Sequence, residues 1–169
     1  MVGATAAQDR PMKEAVSDTN LDLSIRRAIG KEDRNLAGRI GVSVIEGHVV
    51  LTGTVFNRDD RITAAKVAWN IEGVKDVQNE IQVGNPGGPV RFAKDSWITT
   101  RVKTALFGDK TVKEVNYDVE TVNGVVYLMG IARSQTELDE VTDKASRVGG
   151  VKKVVSLVRL KDQKTAQAN

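Results

Sequence analysis

Segment 97–107 holds an indole, a phenyl, two hydroxyls and two cations: Trp97, Phe107, Thr100, Thr104, Arg101 and Lys103. If the segment is helical, about 100° per residue puts Ile98, Val102, Ala105 and Leu106 at roughly 80–180° from Trp97, a single apolar stripe for a core. Thr100, Lys103, Thr104 and Phe107 then fall at about 240–340°, bordered by Trp97, with Arg101 on the flank near 40°. Such an outer face suits the boundary between water and a bilayer. Indole settles at headgroup level because it joins an apolar body to one N–H donor. Phe107 can insert below it, and the threonine hydroxyls can donate to phosphate oxygens. Arg101 and Lys103 can pair with phosphate, each near-surface cation contributing about 1 kcal/mol on anionic lipid. These six residues are the candidate binding site. A helix of about three turns is too short to anchor alone. A folded domain that presents it has already met the ordering cost.

Other chemistries find little material. The chain has no cysteine, which removes disulfides, thiolate nucleophiles and iron–sulfur clusters. It has one histidine, His48, so multi-histidine metal sites are excluded. No Walker loop, dinucleotide fingerprint or nucleophile–base motif is present, so neither enzymatic activity nor a cofactor or metal is expected. Asp59, Asp60, Glu137, Asp139 and Glu140 mark helix starts and solvated faces, where acidic groups favour the dipole. His48 is expected at an exposed hairpin turn and Trp69 in a core or domain interface. Tyr117 and Tyr127 read as sheet residues, and Lys152-Lys153 as the start of an exposed edge strand.

An internal repeat positions these residues. A shift of 77 places Ala28 on Ala105, Val42 on Val119, Gly47 on Gly124, Val49 on Val126, Leu51 on Leu128 and Gly53 on Gly130. It also places Ala68 on Ala145, Gly73 on Gly150, Val74 on Val151, Lys75 on Lys152 and Val77 on Val154. The matches cluster at apolar and glycine positions, as two copies of one module require. Each copy reads as a helix (about 20–30 and 95–107, Ser96 a candidate N-cap) and an alternating strand. A turn at Glu46-Gly47 or Asn123-Gly124 leads into a second strand. A longer helix (58–72 and 134–149), with Ile62, Ala65, Ala68 and Ile71 or Leu138, Val141, Ala145 and Val148 at core-facing helical spacing and stopped by glycine, precedes a last strand (74–83 and 151–160). The fold class is therefore α+β: two tandem αββαβ modules, each a three-stranded mixed sheet packed against two helices.

The chain of 169 residues divides into an N-terminal tail 1–19, expected to be disordered, a first module 20–84, a linker 85–94, a second module 95–162 and a tail 163–169. The linker is marked by Gly84-Asn85-Pro86-Gly87-Gly88-Pro89. Its G-x-x-G letters join a strand to a connector and include proline, unlike the helix-joining nucleic-acid clamp. The sheets lack an aromatic stacking platform, so no nucleic-acid partner is expected. Net charge is only +3. Locally, however, 94–113 carries five cations (Lys94, Arg101, Lys103, Lys110, Lys113) against Asp95 and Asp109, while the matching 17–36 is balanced. At that offset Trp97 becomes Asn20 and Phe107 becomes Gly30, so the module does not need these rings to fold. The second copy is therefore the expected contact surface, the alternative being that Trp97 and Phe107 pack against the linker or the first module. No apolar run approaches the roughly 20 residues of a membrane span.

A helix, then N/E-G-x-V-x-L-x-G on a hairpin, then a helix and G-V-K-x-V on a strand, resembles the BON domain (bacterial OsmY and nodulation). Asp95-Ser96-Trp97-Ile98-Thr99-Thr100-Arg101-Val102-Lys103, Val126-Tyr127-Leu128-Met129-Gly130 and Ala145-Ser146-Arg147-Val148 bring the second copy close to dual-BON outer-membrane lipoproteins of the DolP/YraP type, which are related to OsmY. The resemblance covers 20–162. It implies a non-enzymatic envelope protein of the periplasm, at the inner face of the outer membrane, that supports membrane integrity. Its implied partner is anionic phospholipid of the phosphatidylglycerol or cardiolipin type, met at the surface without spanning. Envelope proteins are a further implied partner, and a protein–protein interaction module without lipid contact is the alternative. The resemblance also implies a signal peptide and lipid-anchor cysteine. Met1-Val2-Gly3-Ala4 supplies neither a cationic start nor an apolar core, so both are expected outside the sequence given, the alternative being a natively unanchored protein.

Overall fold

A computed structural model describes residues 2–108 and 117–161, with side chains from residue 17 onward. Lys110, Lys113, Asp109 and the expected tail 163–169 lie outside the described residues. The chain divides into two units between Pro86 and Gly87. The first comprises α1 (Val2–Glu32), α2 (Arg34–Ala37), β1 (Ile40–Ile45), β2 (His48–Val55), α3 (Arg58–Trp69), β3 (Asp76–Asn79) and β4 (Gln82–Val83). The second comprises α4 (Pro89–Phe107), β5 (Tyr117–Val122), β6 (Val125–Ala132), α5 (Gln135–Ser146) and β7 (Lys153–Leu160).

In each unit a hairpin supplies two antiparallel strands, and the last strand returns parallel to the second after a helical crossover. The repeat offset extends to the hydrogen-bond register. Val42 pairs Leu51 as Val119 pairs Leu128, and Val49 pairs Val77 as Val126 pairs Val154. The last strand of the first unit is split into β3 and β4. Arg61 of α3 crosses the split, donating from Nε to the Ile81 carbonyl and from its guanidinium to the Asn79 carbonyl, both at 2.8 Å. The offset puts Leu138 at that position in the second unit, and β7 runs unbroken.

The cores occupy the repeat's apolar positions. Ile25, Ile29, Val42, Val49, Leu51, Val55, Ala64 and Ala68 are buried in the first, and Val102, Leu106, Val119, Val126, Leu128, Ala132, Val141 and Ala145 in the second. One exchange shows volume being conserved. Val55 with Ala64 becomes Ala132 with Val141, so a methyl pair lost on the strand is regained on the helix.

Two helix starts differ from expectation. The helix of the first unit starts at Val2, where a disordered tail over 1–19 is expected. The alanine-rich composition suits a helix as well as a tail. In the second unit α4 starts at Pro89, within the expected linker. Proline is favoured at N1 because its φ is preset and it has no N–H to leave unpaired. Ser96 therefore lies inside the helix, and Gly88 holds the N-cap position without a side-chain bond.

A carboxylate ties each first helix to its hairpin. Asp18 accepts from the backbone N–H groups of Glu46 (2.6 Å) and Gly47 (2.8 Å). Asp95, 77 residues on, accepts from Asn123 (2.9 Å) and Gly124 (3.0 Å). Both central residues of each turn have positive φ: 54° and 81° at Glu46-Gly47, 54° and 78° at Asn123-Gly124. This is the turn whose twist matches a hairpin. It leaves two N–H groups pointing the same way, and one carboxylate takes both. Hydrogen bonds to a charged acceptor are worth about 1.5–3 kcal/mol each. Asp95→Ala should therefore destabilise the second module by about 2–4 kcal/mol, discounted for partial exposure. Urea unfolding followed through Trp97 in a Trp69→Phe background measures this; an unchanged midpoint contradicts the clamp.

Candidate functional site

The rotation of α4 about its axis decides which side chains reach solvent. Three interactions fix it. Ile98, Val102 and Leu106 are buried against the second sheet. Asp95 holds the hairpin turn. Ile98 also closes on Gly150, where an added Cβ would lie 3.1 Å from its Cδ1. With these inward, Trp97 turns out and is 54% exposed. The longer helix adds Val90 and Phe92, 84% and 74% exposed. Val90 precedes Trp97 by seven residues, about 20° away on the wheel, so the two share a face.

The six sequence-derived residues do not form one patch. Trp97 and Arg101 are joined: the guanidinium carbon lies 4.6 Å from the ring centroid, a cation–π contact. Thr100 and Thr104 are exposed along the same helix, but their hydroxyls already donate to the carbonyls of Ser96 (3.0 Å) and Thr100 (2.9 Å). They offer a ligand lone pairs, not the donors expected of them. Lys103 is partly buried on the opposite flank from Arg101. Phe107 is corrected: it packs against the second core. It is the last helical residue, so no further turn holds its ring away from the domain.

The first unit presents a different surface. Asn20 stands in place of Trp97 and is exposed. Arg26, in place of Lys103, donates to the Val42 carbonyl at 2.7 Å and pairs with Asp22. Yet this unit exposes apolar groups elsewhere: Phe56 (56%), Ile62 (59%) and Trp69 (51%). The expectations that Ile62 faces the core and that Trp69 lies in the core of its module are therefore corrected. The inward side of α3 is Ala64 and Ala68, and both larger residues lie off that side. The offset replaces the three by Arg133, Asp139 and Ser146. His48 is also less exposed than expected; its Nδ1 lies 2.7 Å from Asp76 Oδ2 on the neighbouring strand.

A polar triad joins α5 to the second sheet. The buried Tyr117 hydroxyl donates to Glu137 Oε1 at 2.5 Å, and Arg133 Nε reaches Glu137 Oε2 at 2.9 Å. The first unit has Ile40, Asp60 and Phe56 at these positions. Burial, the Glu137 hydrogen bond and its charge hold Tyr117 well above the ordinary phenol range. For Glu137, burial pushes the carboxyl up, but the Tyr117 and Arg133 hydrogen bonds outweigh it and hold it below its ordinary value.

Among the described residues no group of three or more His, Cys, Asp or Glu could hold a metal ion. Among them also, no helix is long and apolar enough to cross a membrane. Sequence reasoning missed Val90, Phe92 and the Asp95 clamp. Pro89 as a helix start and the match of Asp18 to Asp95 at the repeat offset were the available signals.

A depressed carboxyl pKa stabilises the folded state above the unfolded value and loses that contribution as pH falls through the folded one. Glu137→Gln should therefore lower stability near pH 7 and narrow its deficit as pH falls below the ordinary glutamate value of about 4.3 and through the depressed folded one, where the parent carboxyl also protonates. Urea midpoints at pH 7 and pH 3 check this; a deficit equal at both pH values contradicts it.

The BON domain family model matches residues 17–85 and 94–162. Over 163 residues the chain is 35% identical to outer membrane lipoprotein DolP of Haemophilus influenzae, covering 95% of this chain and 84% of that protein. It is 45% identical over 146 residues to an uncharacterized protein in the gshII 5′ region of Anaplasma centrale, covering 85% of this chain and 97% of that one. It is 30% identical over 148 residues to osmotically-inducible protein Y of Escherichia coli, covering 86% and 74%.

Proposed function

The chain belongs to the BON domain family, with two copies in tandem, and from that premise we propose that it is a non-enzymatic envelope protein that docks on anionic phospholipid through α4 of its second module. The compartment in this proposal is the periplasm, at the inner face of the outer membrane, where docking supports membrane integrity. The names of the DolP and osmotically-inducible relatives support the envelope setting. The observation that carries the docking surface is the outward face of α4: Val90 and Trp97 exposed one heptad apart, with Arg101 stacked on the indole.

The physical steps are short. Long-range attraction draws the cations of α4, Lys94 and Arg101 among them, toward an anionic surface. Trp97 and Val90 then leave water at the headgroup boundary, with the indole N–H still able to find an acceptor. Arg101 meets phosphate while its guanidinium rests on the ring. Thr100 and Thr104 accept hydrogen bonds from headgroup hydroxyls such as those of phosphatidylglycerol. Lys103 contributes charge from the flank, and Phe107 stays with the core. Because α4 is held by the Asp95 clamp and its own core stripe, docking need not fold the helix.

A second role, contact with an envelope protein, is favoured by Phe56, Ile62 and Trp69 on the first unit. Ile62 and Trp69 lie one heptad apart on α3 and so share a face, and apolar side chains grouped on one face are characteristic of interaction surfaces.

Co-sedimentation with phosphatidylglycerol vesicles should retain the protein, and phosphatidylcholine vesicles should not. Trp97→Ala with Arg101→Glu should weaken binding by tenfold or more, since one charge reversal near the surface alone removes about 2 kcal/mol. Raising salt to about 0.5 M should release much of the bound protein, as screening predicts. Equal retention of the folded double variant contradicts the docking face.

A further inference from the structure

Beside Trp97, α4 and α5 form the walls of an open groove of about 400 Å³, lined by Arg101, Thr104, Ala105, Lys144, Arg147 and Val148. Its floor is apolar, from Ala105 and Val148, and its rim carries three cations from two helices. Extending the docking reading above, on which this rests, we propose that the groove is a phosphate-coordinating seat for the headgroup of an anionic phospholipid. Lys144 and Arg147 of α5 are binding residues in it alongside Arg101.

The internal repeat supplies the main argument. At the offset of 77 the six lining residues become Ser24, Arg27, Ala28, Val67, Asn70 and Ile71. The floor stays small and apolar, Ala28 for Ala105 and Ile71 for Val148. The rim falls from three cations to one, Arg27 in place of Thr104, because Arg101 is replaced by Ser24 and Lys144 and Arg147 by Val67 and Asn70. The same fold therefore makes the groove without Lys144 and Arg147, and their charge has to be explained by something other than packing. Three cations around one open groove, Arg147 among them already paired with Asp143, bias it toward an anion.

Geometry suits the assignment. Arg101 is held against the Trp97 ring, so its guanidinium edge is oriented before a ligand arrives. Lys144 lies in the last turn of α5 and Arg147, three residues on, is its C-cap residue with helical backbone angles, so the two fall on the same side. Arg147 is 78% exposed and pairs with Asp143 at 3.1 Å. An exposed pair of this kind is weak and can be exchanged for phosphate. A phosphate seated between the helices places the glycerol and acyl chains beside the Trp97 and Val90 face. One lipid then meets both the cationic groove and the apolar patch. The groove thus predicts recognition of a single lipid molecule, where a flat basic face predicts only diffuse attraction.

The test is amide NMR of the full chain titrated with soluble short-chain phosphatidylglycerol below its micelle concentration, with inorganic phosphate in a parallel arm. The expected result is saturable shifts at Arg101, Thr104, Lys144, Arg147 and Val148. Inorganic phosphate should shift the same amides at least tenfold more weakly. Lys144→Gln with Arg147→Gln, folded by circular dichroism, should lose at least tenfold in short-chain lipid affinity and in retention on phosphatidylglycerol vesicles. If α5 amides stay silent, or the double variant binds as the parent does while Trp97→Ala with Arg101→Glu does not, the groove is overturned and the docking face stands. Equal shifts with inorganic phosphate overturn the lipid assignment. If the parent binds neither vesicles nor short-chain lipid, both the groove and the docking face fall.

Discussion

One carboxylate per module governs what the rest of the surface can be. Asp95 takes both free N–H groups of a hairpin turn whose central residues are left-handed. Helix α4 is thereby pinned to the sheet near its middle, two residues before Trp97. Core burial of Ile98, Val102 and Leu106 sets the helix on the sheet, but an apolar stripe tolerates some rolling. A bidentate polar contact does not, because its two bonds have direction. The outward position of the indole follows from that restraint, and Asp18 imposes the same one on the first module.

With the scaffold held in common, the two modules differ in where they leave apolar surface. The first keeps its leading helix polar at Asn20 and shows Phe56, Ile62 and Trp69 around α3. The second reverses this, with Val90, Phe92 and Trp97 on α4 and Arg133, Asp139 and Ser146 at the α3-equivalent positions. Neither module exposes large apolar residues at the position where its twin does. Duplication followed by divergence is the economical physical account: each copy kept the core and left its large aromatic side chains exposed around a different helix.

The repeat, the hairpins and both cores were legible in the sequence because they rest on alternation, helical spacing and glycines in special conformations. Gly53 shows why such positions stand out. Its φ is 118°, and a Cβ there would lie 2.0 Å from the Arg39 carbonyl oxygen. The outer face of α4 was legible in part. The wheel placed Trp97, Thr100 and Thr104 outward but could not know that Phe107, at the terminal turn, would fold onto the core. It also could not show that threonine hydroxyls would bond back to the preceding turn. Trp69 and Ile62 misled because large apolar residues at helical spacing usually mark a core, whereas here Ala64 and Ala68 suffice beneath α3. The α4–α5 groove was not legible, since it depends on two helices whose approach no local pattern encodes.

The conserved volume of the two cores bears on how the gene can change. Two modules of one fold are open to exchange of segments by recombination. A crossover between the hairpin and the following helix would join Val55 to Val141 in one product and Ala132 to Ala64 in the other. The first core would be overfilled and the second left hollow, each at a cost of about 1–3 kcal/mol in a domain of this size. Complementary packing within each copy thus acts as a barrier to shuffling, and it keeps the twins distinct even though their folds are interchangeable.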